Sequence, residues 1–136
     1  MQTAPLPVVA LTLGDPAGVG PELIARLLGQ TDATAHANIV LVGDAWLWAD
    51  GQKIAGVEVA TQPVRNFAEV RARADTRLPA WLPMDTVAAA QVVRGQAQAA
   101  GGASVLQVLN ACMDATQRGE VDAICFAPLN KFAMKQ

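Results

Sequence analysis

The chain has 136 residues, of which 52% are hydrophobic, 16% charged and 4% aromatic, with 11 glycines, 8 prolines and a formal net charge of −2. That balance suits one folded domain and excludes intrinsic disorder; ten basic against twelve acidic residues, with no block of like charge, exclude a nucleic-acid or anionic-membrane footprint. No apolar run approaches the ~20 residues of a spanning helix, and Cys112 and Cys125, too few for a disulfide scaffold, read as buried thiols of a cytoplasmic protein.

In chain order, Val8–Leu13 is an almost unbroken apolar run, the pattern of a parallel strand covered on both faces. The run Gly14-Asp15-Pro16-Ala17-Gly18-Val19-Gly20 ends it. Pro21 at a first helical position, Glu22 as a first-turn acid, and Leu23, Ile24, Leu27 and Leu28 at helical spacing then predict a helix. Ile39–Val42 repeats the strand signal and stops at Gly43-Asp44, where Asp44 is a candidate cap for a helix carrying Leu47 and Trp48. From Val57 to Pro83 the pattern weakens. Val57, Val59 and Thr61 alternate, Phe67–Ala74 suits a short helix with Arg71 and Arg73 on a solvated face, and Pro79 and Pro83 break Leu78–Leu82. Hairpin-like excursions around the sheet are expected there.

Met84–Gly102 is alanine- and glutamine-rich and by composition suits a mobile segment. Val105, Leu109, Cys112 and Thr116 then line one face of a helix that Gly119 ends. Ala123–Ala127 is a third buried-strand candidate, followed by Pro128-Leu129-Asn130-Lys131, with Asn130 placed to cap a helix from Phe132. Trp46, Trp48 and Trp81 read as packing residues, and His36 as an exposed loop residue.

In an open parallel sheet, ligands bind beyond the carboxyl ends of the strands, and two loops here occupy that edge. Gly14–Gly20 offers close backbone approach at Gly14, Gly18 and Gly20, N–H donors at a helix start, and the Asp15 carboxylate. Asp15 either orients a substrate or cofactor hydroxyl or holds the turn that Pro16 shapes. In the second loop, Lys131 can hold a phosphate or carboxylate as a point charge, and Asn130 is its companion or the helix cap. A P-loop is excluded because no Lys-Ser or Lys-Thr occurs. The dinucleotide fingerprint keeps Gly18 and Gly20, with Asp44 near the expected ribose contact, but Pro21 lies inside the motif and Leu23 replaces its last small residue. A plain strand-to-helix connection stands beside these readings.

The arrangement Gly14-Asp15-Pro16-Ala17-Gly18-Val19-Gly20-Pro21-Glu22 after a first strand resembles the opening of the 4-hydroxythreonine-4-phosphate dehydrogenase family. Ala127-Pro128-Leu129-Asn130-Lys131 resembles that family's second signature. The likeness runs from about Val8 to the end of the chain and is loose over Gly51–Pro83. It implies a three-layer α/β fold of the isocitrate/isopropylmalate-dehydrogenase kind with a mostly parallel sheet, of which residues 1–136 are expected to be the N-terminal portion. It also implies NAD- and divalent-metal-dependent oxidation and decarboxylation of a phosphorylated four-carbon hydroxy acid, such as 4-hydroxythreonine 4-phosphate in pyridoxal phosphate biosynthesis, or threonate or erythronate 4-phosphate.

By the same resemblance, Lys131, Asn130 and Asp15 contact the small anionic substrate and Gly14, Gly18 and Gly20 contact NAD. The metal-binding histidines follow the second signature, outside this chain, so no metal ligand or catalytic residue is assigned within it. The full-length protein would be a homodimer and the 136 residues alone inactive. Two other readings stay open: a non-catalytic α/β module binding a nucleotide or phosphate through Gly14–Gly20, and a structural subunit whose open sheet edge pairs with another chain.

Overall fold

A computed structural model describes residues 5–136. Strand β1 (Val8–Thr12) leads through the glycine loop into helix α1 (Gly20–Leu28), then β2 (Asn38–Gly43) and α2 (Ala45–Ala55). There follow β3 (Gln62–Pro63), α3 (Ala68–Ala72), β4 (Ala80–Pro83), a short 3-10 turn at Ala89–Gln91, α4 (Ala99–Gln117), β5 (Ala123–Phe126) and α5 (Lys131–Met134). The five strands form one sheet in the order β3-β4-β2-β1-β5, every pair parallel.

Two apolar layers sandwich that sheet. Ile24, Ala25 and Leu28 of α1 and Leu47 and Trp48 of α2 pack with Leu11, Leu13, Ile39 and Leu41 on one face. Val70 of α3 and Val108, Cys112 and Ala115 of α4 pack with Val8, Ala10, Val40 and Val42 on the other. The two sets alternate along β1 and β2, as a strand buried on both sides requires. This is the expected three-layer α/β fold with a parallel sheet. Trp48 stacks on Trp81 with ring centroids 6.3 Å apart, and the Trp46 N–H donates to the Val87 carbonyl at 2.8 Å, so both act in packing.

Several expectations are corrected. The region 57–83 holds parallel strands joined by α3, not hairpins. The alternating Val57–Thr61 is not a strand, and β3 keeps Pro63 because it lies at the sheet edge, where a missing donor costs no ladder bond. Arg73 is not on a solvated face: it donates to the Leu78 carbonyl at 2.7 Å and to Asn38 Oδ1 at 2.5 Å, while Asn38 donates to the Val70 carbonyl at 3.0 Å. Burial lowers the Arg73 pKa from its ordinary value. Arg71 is exposed and pairs with Asp122 at 3.2 Å, an arrangement that adds little to stability.

Helix α4 begins at Ala99, and its buried face is Val105, Val108, Cys112 and Ala115, with Leu109 half-buried and Thr116 exposed. Gly119 ends it at φ +77°, as its position suggests. Strand β5 is found where expected, but Cys125 and Phe126 are exposed, because β5 is an edge with only β1 beside it.

The segment after β4, by composition suited to a mobile stretch, is tethered to the sheet and helices at particular residues. Met84 N–H donates to the Gly43 carbonyl at 2.8 Å, Gly95 N–H to the Ala17 carbonyl at 2.8 Å, and Arg94 bridges Glu22 of α1 (3.4 Å) and Asp50 of α2 (3.2 Å).

Candidate functional site at the carboxyl edge of the sheet

The two signature loops meet directly. Asp15 N–H donates to the Pro128 carbonyl at 3.0 Å, joining the loop after β1 to the loop after β5. Gly14 makes that approach possible: its φ is +78°, and a Cβ there would lie 2.5 Å from the Pro128 oxygen. Gly20 serves the same junction, since a side chain would collide with the Leu13 carbonyl and press on Ala127. Gly18 has no such constraint; a Cβ would meet Asp15 at an ordinary 3.5 Å. Gly14 and Gly20 therefore fit the loops to each other, and Gly18 lies on the more open part of the path.

Asp15 holds the turn. Its Oδ1 accepts from the Ala17 N–H at 2.9 Å, and its carbonyl accepts from the Gly18 N–H at 3.0 Å, an Asx turn. The first turn of α4 faces the same carboxylate, because a Cβ on Gly101 would sit 3.4 Å from Asp15 Oδ1. A negative group suits that helix end. Asn130 caps α5, its Oδ1 accepting from the Ala133 N–H at 3.1 Å, and the helix starts at Lys131, one residue earlier than the sequence suggests. Lys131 is exposed and makes no ion pair among the described residues. Asp15 and the loop carrying Asn130 and Lys131 are thus brought to one edge.

Sequence reading missed a buried polar chain behind this edge. Asp44 is only 3% exposed and its side chain does not cap α2. Its Oδ1 accepts from the Thr86 N–H (2.8 Å) and the Val87 N–H (3.3 Å), and its Oδ2 accepts from the Thr86 hydroxyl at 2.5 Å. Because a carboxylate only accepts, the Thr86 proton points at Asp44, and Ser104 Oγ must donate to Thr86 Oγ1 across 2.6 Å. Three of the chain's own donors thus hold the Asp44 carboxylate in place behind the edge. Ser104, Asp44, Thr12, Gly14 and Gly43 line a small cavity of about 10 Å³, room for about one water. The only sequence signal was an aspartate at the end of a strand.

His36 is exposed, and no group of three His, Cys, Asp or Glu side chains able to hold a metal occurs among the described residues. Nor is any described helix long and apolar enough to cross a membrane.

Known proteins share both the sequence and the fold. A Pseudomonas aeruginosa relative named as a 4-hydroxythreonine-4-phosphate dehydrogenase is 38% identical over 135 residues, covering 98% of this chain and 39% of its own. A Rhizobium meliloti relative with the same kind of name is 36% identical over 95% of this chain and 36% of its own, and a Symbiobacterium thermophilum relative named as a D-threonate 4-phosphate dehydrogenase is 32% identical. The crystal structure of a 4-hydroxythreonine-4-phosphate dehydrogenase from Burkholderia phymatum superposes with a TM-score of 0.80 at 30% identity, over 96% of this chain and 38% of that one. The chain spans less than two-fifths of the length of these relatives. The family described as pyridoxal phosphate biosynthetic protein PdxA matches residues 35–136, and the chain belongs to it.

Proposed function

We propose that this chain forms the substrate-anion side of a dehydrogenase acting on a phosphorylated four-carbon hydroxy acid, 4-hydroxythreonine 4-phosphate or threonate 4-phosphate. The observation that carries this reading is the junction of the two signature loops at the carboxyl edge of the sheet, which leaves the Lys131 ammonium exposed and without a partner among the described residues. An uncompensated cation at such an edge suits a phosphate or carboxylate. Asp15 and Asn130 shape the two loops, and their proposed substrate contact is made through those fixed backbones.

The proposed chemistry is NAD- and divalent-metal-dependent oxidation with decarboxylation. The described residues do not fit the metal: Asp15 is engaged in its turn, and no further carboxylate, imidazole or thiolate groups with it. The family resemblance implies metal ligands outside this chain. For NAD, the backbone around Gly18 is the part of the loop left open, and Gly14 and Gly20 set its path. The 136 residues alone are expected to be inactive.

The test is kinetic. The chain is extended with the portion of the Pseudomonas aeruginosa relative that it does not match, and Lys131→Ala is compared with the unsubstituted form. Loss of a charge-assisted contact predicts a KM for the phosphorylated substrate raised about 10-fold or more. An unchanged KM removes Lys131 from the site.

A further inference from the structure

Alternation along β1 turns Val8, Ala10 and Thr12 toward the layer that holds α4. Val8 and Ala10 are met there by apolar side chains, whereas Thr12 brings a hydroxyl. Thr12 is only 3% exposed, and its hydroxyl makes no hydrogen bond to any described residue. Every fully enclosed side-chain oxygen or nitrogen among the described residues has a partner, so the Thr12 hydroxyl must open onto the small cavity that Thr12 lines with Ser104, Asp44, Gly14 and Gly43. Two acceptors belong to the same wall. Ser104 Oγ gives its proton to Thr86 and offers only lone pairs elsewhere. An ionised carboxylate has about four acceptor positions. Asp44 fills two on Oδ1, with the Thr86 and Val87 N–H groups, and one on Oδ2, with the Thr86 hydroxyl, which leaves one on Oδ2. Polar groups buried in this way are costly unless something completes their hydrogen bonds.

We propose that this cavity is the binding site of one structural water, which accepts from the Thr12 hydroxyl and donates to Ser104 Oγ and Asp44 Oδ2. The volume of about 10 Å³ is that of a single water site, and three hydrogen bonds are the usual complement of an internal water. The wall asks for a donor and an acceptor at once, in a space too small for a larger molecule. An apolar occupant would leave all three groups unsatisfied. The water adds one member to the chain Asp44–Thr86–Ser104 and carries it to Thr12, two residues before Gly14. Four segments that are distant in sequence are thereby joined behind the glycine loop: the ends of β1 and β2, the stretch after β4, and α4. The inference rests on packing and hydrogen bonding, not on the proposed reaction, and its readout does not depend on activity.

Thr12→Val tests the site through the sign of its effect. Valine keeps the shape of threonine and removes only the hydroxyl. With a water in the cavity, the substitution takes away one of that water's three partners, and the urea midpoint of the chain should fall by about 0.5 M or more. Without a water, the parent carries an unsatisfied buried hydroxyl, and valine should leave the midpoint unchanged or raise it. Ser104→Ala removes a second partner of the same water, so the losses from Thr12→Val and Ser104→Ala should be less than additive in the double variant. A high-resolution crystal structure of the unsubstituted chain supplies a readout that does not depend on a variant folding: it should show one water within hydrogen-bond distance of Thr12 Oγ1, Ser104 Oγ and Asp44 Oδ2. A featureless cavity would overturn the proposal, as would a midpoint unchanged or raised by Thr12→Val, or strictly additive losses. An anomalous peak in the cavity after a rubidium soak would identify a monovalent cation beside the Asp44 carboxylate and overturn it too.

Discussion

Removing the Asp44 carboxylate should destabilise the chain more than any other single polar substitution near the site. Asp44→Ala leaves the Thr86 and Val87 N–H groups and the Thr86 hydroxyl without their acceptor, at a position 3% exposed. Two buried backbone donors at about 1–3 kcal/mol each give a cost of about 2–6 kcal/mol, against a total of about 5–15 kcal/mol for a typical domain. Asp44→Asn should cost much less, about 1–2 kcal/mol. Its carbonyl still accepts from the two N–H groups, and its amide can donate to Thr86 Oγ1 if the hydroxyl protons of Thr86 and Ser104 reverse direction. Urea unfolding followed by tryptophan fluorescence measures both variants. An Asp44→Ala loss below about 1 kcal/mol would refute the reasoning, as would an Asn variant no better than the Ala variant.

Three further outcomes follow from the same geometry. Burial pushes the Cys112 thiol from 9.0 up to about 11. The folded state holds that proton more tightly, so the stability from the neutral buried thiol is complete below pH 9.0 and is lost as pH rises toward about 11, by about 3 kcal/mol in all; Cys112→Ala should flatten this part of the stability–pH curve. Asp122 lies below its ordinary range, chiefly because the Val8 N–H donates to it at 2.8 Å and secondarily through Arg71. Its contribution is present above the unfolded carboxylate value and lost as pH falls through the lowered one, so Asp122→Asn should destabilise at pH 7 and have no effect in strong acid. Gly14→Ala should cost about 3 kcal/mol from its left-handed backbone and its clash with Pro128, whereas Gly18→Ala should lie within about 0.5 kcal/mol of the parent; thermal denaturation separates them.

How much was legible follows from the reach of each signal. Strands β1 and β2 announce themselves because burial on both faces demands consecutive apolar residues. The run at β5 gave its position but not its exposure, since an edge is defined by strand order rather than by local sequence. Strands β3 and β4, two and four residues long and carrying prolines, are held by their parallel neighbours and leave no periodic trace. At the site, the glycine loop and the Asn130-Lys131 loop were visible as short motifs, though the contact between them was not. The chain Asp44–Thr86–Ser104 was invisible because its members lie 42 and 18 residues apart in segments without pattern. Arg73, read as a surface residue, is drawn inward by Asn38, another long-range pairing.

The central claim is that this chain carries part of a dehydrogenase site and not a complete binding module. Reduction of NAD, followed spectroscopically with 4-hydroxythreonine 4-phosphate or threonate 4-phosphate and a divalent metal, tests it in two samples. The 136-residue chain should give no turnover, and the chain extended with the unmatched portion of the Pseudomonas aeruginosa relative should give metal-dependent turnover. Turnover by the 136 residues alone, or a folded extended protein that binds NAD but reduces none of it with either substrate, would contradict the account.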